Sequence, residues 1–96
     1  MNRLLALAFL FAALCNPVAA GELEVMTAKA EQGDCIDQYD LGAAYYFGNG
    51  VPQDYRQAYV WFSVAVTNGY VSAAAKRDKA ALELTPDALT AAQAEA

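Results

Sequence analysis

The chain has 96 residues, 57% of them apolar, with 6 basic residues against 11 acidic and no histidine. A net charge of -5 repels phosphate backbones, whose binding depends on Lys and Arg, so nucleic acid is not an expected partner. The missing histidine removes the commonest general base and the commonest metal ligand, and neither Cys-x-x-Cys nor Gly-x-Ser-x-Gly occurs, so no cofactor, metal site or catalytic residue is expected.

Met1-Asn2-Arg3 gives a positive start, Leu4 to Cys15 is an apolar run of twelve, and Asn16 to Ala20 ends in small residues. This is the grammar of a secretory signal peptide over residues 1–20, with cleavage after Ala20. The run is shorter than the roughly 20 residues a membrane span requires. An uncleaved anchor and a lipid on Cys15 are the alternatives, and bulky Leu14 argues against the lipid. The expected location is periplasmic or secreted, without membrane contact after cleavage. What remains is a domain of 76 residues, 21–96, with five basic and eleven acidic residues and a net charge of -6. It can bury one small core. Cys35 is its single cysteine, read either as a small buried hydrophobe or as an intermolecular disulfide partner.

Glu22 to Gln32 carries Leu23, Met26 and Ala30 at helical spacing and meets Gly33 where a left-handed cap belongs. Asp34 then caps a second helix that runs through Leu41, Gly42 and Tyr45 to Phe47, where Gly48 stops it. Asp34, Asp37 and Asp40 recur every third residue; a metal or acid-base cluster is one reading. The preferred one is that the first two favour the positive end of a helix and the third is solvated. Gly48-Asn49-Gly50 and Val51-Pro52 turn the chain, and Asp54 with Gln57 matches a capping box. From Tyr55 to Asn68 a third helix bears Ala58, Trp61, Phe62 and Ala65 on one stripe before Gly69. A fourth, Ala-rich helix is predicted over Val71 to Leu84, and Thr85-Pro86-Asp87 opens a fifth over 86–95. No segment alternates as a half-buried strand would, so the class is all-α.

Ala30-Glu31-Gln32-Gly33 and Val66-Thr67-Asn68-Gly69 both end a helix and lie 36 residues apart, a period typical of an α-solenoid. The frame is one full helix pair over about 34–69, with partial repeats on either side. Ala30-Glu31-Gln32-Gly33-Asp34, Gln38, Leu41-Gly42-x-x-Tyr45-x-x-Gly48-x-Gly50-Val51-Pro52-x-Asp54-Tyr55, Ala58, Trp61-Phe62, Ala65 and Gly69 resemble a Sel1-like repeat, closely from Thr27 to Val71. The resemblance extends less closely to an end cap over Lys76 to Leu89. It implies a short TPR-like solenoid of antiparallel helix pairs, used as a protein-binding scaffold and common in bacterial envelope or secreted proteins. Asp37 departs from the pattern, which has a small residue there and implies a looser first turn. Val60, Ser63 and Val64 replace positions commonly charged.

Three functions follow as expectations. The first is a non-catalytic interaction module whose leading helix presents Ile36, Tyr39, Ala43, Tyr46 and Phe47, with Tyr39 and Tyr46 as anchors for a protein partner. The alternative is a structural subunit that forms a homodimer or docks on a larger repeat protein through Tyr59, Val60 and Val64, or through a Cys35 disulfide. A hydrolase working with paired carboxylates is the remote third.

Overall fold

The computed structural model describes residues 20–96, and the leader read at residues 1–20, Ala20 apart, lies outside them. Five α-helices follow one another: α1 (Ala20–Glu31), α2 (Cys35–Phe47), α3 (Tyr55–Thr67), α4 (Ala73–Leu82) and α5 (Pro86–Glu95). No strand occurs among the described residues.

Local chemistry sets most of the boundaries. Gly33 has φ 102° and Gly69 has φ 108°, both in the left-handed region that a side chain would disfavour. Around Gly33 the amides of Gly33 and Asp34 donate to the carbonyls of Ala30 and Lys29, each at 3.1 Å. Around Gly69 the amides of Gly69 and Tyr70 donate to Val66 and Ala65 at 3.1 and 2.8 Å. These are the same paired bonds of a Schellman end, 36 residues apart, so the repeat legible in the letters is also a repeat of backbone geometry. Asp34 starts α2 with its Oδ1 accepting from the amides of Ile36 and Asp37 at 3.0 and 3.2 Å. Thr85 caps α5 by accepting from Ala88, with Pro86 in the first turn.

Two expectations are corrected. The predicted fourth helix loses two residues at each end, since Val71 and Ser72 form a turn and Ser72 makes no side-chain cap bond. The capping box at Asp54 is half made: its carboxylate accepts from Arg56 and Gln57 amides at 3.0 and 3.2 Å. Its own amide, however, donates to the Tyr45 carbonyl at 2.9 Å. The Gln57 side chain is thereby released and reaches Glu95 of α5 at 3.5 Å, beside the Arg56–Glu95 ion pair. The C-terminal end of α5 is thus held at the first turn of α3.

Helix α3 is the hub and packs on α2, α4 and α5, while α1 packs on α2. Ala58, Phe62, Ala65, Ala73 and Ala80 form the central cluster, each at most 1% exposed. So many alanines let helices approach closely, and Gly42 goes further. A Cβ at that position would lie 2.7 Å from Cδ1 of Phe62, so α2 can meet α3 here only without a side chain.

Buried among these helices is one polar side chain, Gln38, at 2% exposure. Its Nε2 donates to the Ala30 carbonyl at 2.9 Å, and its Oε1 accepts from Asn68 Nδ2 at 3.0 Å. Gln38 therefore ties the C-terminal ends of α1 and α3, the two matching ends of the repeat, through a satisfied bridge.

Candidate interaction face

Because α2 and α4 both pack on α3, a groove of about 210 Å³ opens between them. Tyr39, Ala43, Tyr46 and Phe47 of α2 form one wall, Lys76 and Lys79 of α4 the other, and Phe62 lies at the base. On the opposite side of the Ala43 and Phe47 ridge, a cleft of about 350 Å³ runs between α1 and α2. Glu22 and Met26 line it from α1, and Asp40, Ala43, Ala44 and Phe47 from α2, with Asn49 at the end. Phe47 stands 71% exposed where the two depressions meet. A large apolar side chain held in solvent between two concave surfaces is the feature a partner would cover.

The tyrosines are held rigidly. Tyr39 stacks on Tyr70 with ring centroids 4.7 Å apart and 13° between planes, and tilts against Phe62 at 5.5 Å. Tyr46 packs edge-on against Phe47 at 4.9 Å and Tyr55 at 5.3 Å. Gln53 fastens the turn beneath them, its Nε2 donating to the Tyr46 carbonyl and to the Tyr55 hydroxyl, both at 2.9 Å. Both tyrosines are half-buried, so each serves as wall and as packing at once.

The other sequence-derived residues sit apart from this groove. Ile36, 59% exposed, occupies the first turn of α2 and does not line it. Tyr59, Val60 and Val64 are half-buried on α3. Tyr59 packs against the central cluster, and the Ser63 hydroxyl oxygen on the same stretch is buried without a hydrogen-bond partner. Neighbouring helices thus cover much of the α3 surface formed by Tyr59, Val60 and Val64. Cys35 is free and half-buried at the first position of α2. Lys76 and Lys79, which sequence reasoning passed over, had one available signal: basic residues three apart on an otherwise Ala-rich helix share a face.

The Asp34 cap and the two aspartates of α2 differ in environment. The Asp37 amide, above all, holds the Asp34 carboxyl below its ordinary value, and the Ile36 amide and Lys29 act in the same direction. Burial first, then the Asp34 carboxylate beside it, pushes Asp37 up. Asp40 is also raised, by partial burial beside its cleft and then by Asp34, while the residue itself stays exposed, in line with the solvated reading. No group of three or more acidic, Cys or His residues placed to hold a metal occurs among the described residues.

Residues 37–70 match the family model described as the Sel1 repeat. The chain is also 35% identical over 49 residues to the "ERAD-associated E3 ubiquitin-protein ligase component HRD3B" of Arabidopsis thaliana. That alignment covers 50% of this chain and 8% of the relative, so the chain corresponds to a small part of that protein. No solved structure matches it. Residues 37–70 thus form a Sel1 repeat, and the described residues make a TPR-like all-α array of helix pairs.

Proposed function

We propose that this Sel1-repeat chain is a periplasmic or secreted protein-interaction module without catalytic activity, and that it binds through the face centred on Phe47. The observation that carries the reading is Phe47 itself, 71% exposed between two concave surfaces and braced by Tyr46. Rigid aromatic side chains give a partner large contact area at small entropic cost. The N-terminal pattern of charge, apolar run and small residues supports export. The absence of histidine, the commonest general base, supports a binding role over hydrolysis. The relative's name describes a ligase component, which agrees with a module that works by contact.

The test compares proteins recovered from cell-envelope extract by the tagged wild type and by the Tyr46→Ala/Phe47→Ala double variant. Tyr39 is left intact because it stacks on Tyr70. The reading predicts loss of a recovered protein with an unchanged far-ultraviolet circular dichroism spectrum. Identical recovery by both proteins refutes it.

A further inference from the structure

We propose that the Phe47 face docks a second copy of this chain, in a two-fold pair that lays the acidic cleft of each copy against the lysine groove of the other. The inference rests on the reading of that face as a binding surface and names its partner. Ala43 and Phe47, one helical turn apart on α2, form a ridge shared by both depressions. On one side stand the carboxylates of Glu22 and Asp40, on the other the ammonium groups of Lys76 and Lys79. None of these four takes part in an ion pair among the described residues, where Arg56 pairs with Glu95 and Arg77 with Asp78. The face therefore carries opposite unpaired charges on either side of an exposed apolar centre.

That arrangement is self-complementary. A two-fold axis through Phe47 exchanges the two sides, so each acidic side meets a basic one and the two phenylalanines cover each other. An acidic peptide would satisfy the lysines but meet repulsion from Glu22 and Asp40 on crossing the ridge, and a basic one the reverse. A second copy matches both at once, and opposite charges across an interface steer encounter and fix register.

Sedimentation equilibrium of the full chain, in the form its host leaves after processing, tests the pairing through a charge swap. The wild type is expected to be dimeric, with its dissociation constant rising at least tenfold as salt goes from about 0.1 to about 1 M, which shortens the screening length from about 10 to about 3 Å. Lys76→Glu/Lys79→Glu leaves a face acidic on both sides, and Glu22→Lys/Asp40→Lys leaves one basic on both sides, so each variant alone should be monomeric. Mixed, they should form a one-to-one heterodimer, because both crossed contacts become attractive again; that recovery also shows that both variants fold. A monomeric wild type at about 0.1 M salt overturns the proposal, as does a dimer that neither variant weakens, or a mixture that stays monomeric. A monomer that still loses an envelope protein on Tyr46→Ala/Phe47→Ala overturns the pairing alone and leaves the interaction module standing.

Discussion

Replacing Gly42 by alanine probes the helix crossing on which the fold and its groove both depend. The new Cβ would lie 2.7, 2.8 and 3.1 Å from Cδ1, Cε1 and Cγ of Phe62. Carbon atoms in contact prefer about 3.5 to 4.0 Å, so the ring or the helix must retreat by about 0.8 Å or more. Phe62 has little room, being 1% exposed with the Tyr39 ring 5.5 Å away. Overpacking of this kind costs about 1 to 3 kcal/mol, whereas alanine in a helix interior returns up to about 1 kcal/mol over glycine. With retreat blocked the cost lies in the upper part of its range, for a net loss of about 1 to 2 kcal/mol. In a domain of this size that lowers Tm by about 5 to 15 °C. Thermal and urea melts followed by circular dichroism read it directly. In a Phe62→Leu background the penalty should shrink, since the ring that meets the Cβ is gone. A Gly42→Ala protein as stable as the wild type, or more so, refutes a crossing this close.

Gln38→Ala should destabilise the fold by about 1 to 2 kcal/mol, because it unties the Ala30 carbonyl from the Asn68 amide and leaves a void, and a urea titration measures it. Glu95→Gln should cost under about 1 kcal/mol in the same titration, since the Arg56 and Glu95 side chains are 45% and 37% exposed. Burial pushes Asp40 above its ordinary value of 3.8, so protonating it favours the folded state. Its contribution is therefore full below that value and lost as pH rises through the raised one. Asp37 acts in the same sense, while Asp34, held low, loses its contribution as pH falls through its depressed value. Asp40→Asn should accordingly flatten the acid side of the stability profile between neutral pH and 3.8, and melts taken across that range show whether it does.

What could be read from the letters was mainly what the chain decides within about five residues. Asp34, Gly33, Gly48, Gly69 and Thr85 act on their own helix ends, and all behave as their types and positions imply. Gly42 was legible as part of the Leu41-Gly42-x-x-Tyr45 pattern, and it lies on the buried face of α2 with Gln38, Leu41 and Ala44. Contacts that join distant segments were not legible. Gln57 fits a capping box by spacing, but the Tyr45 carbonyl takes the Asp54 amide and frees Gln57 for Glu95, 38 residues on. Tyr39 and Tyr46 were separated from the core by helical register, yet Tyr70, Tyr55 and Phe62 bring them partly inside. Asp40 faces a cleft whose other wall is α1, and Lys76 and Lys79 enter the groove only because α4 follows α3. Spacing along one helix assigns a face; it does not say which neighbour that face will meet.

The central claim, that the chain works by contact through the Phe47 face, is tested most directly by replacing Phe47 with a photo-crosslinking phenylalanine analogue in living cells. The control carries the same analogue at Thr90, an exposed position on α5. The account predicts a discrete protein adduct from position 47 and none from position 90, with mass spectrometry reporting whether the attached chain is a second copy or another protein. Equal adducts from both positions, or none from position 47, would contradict it.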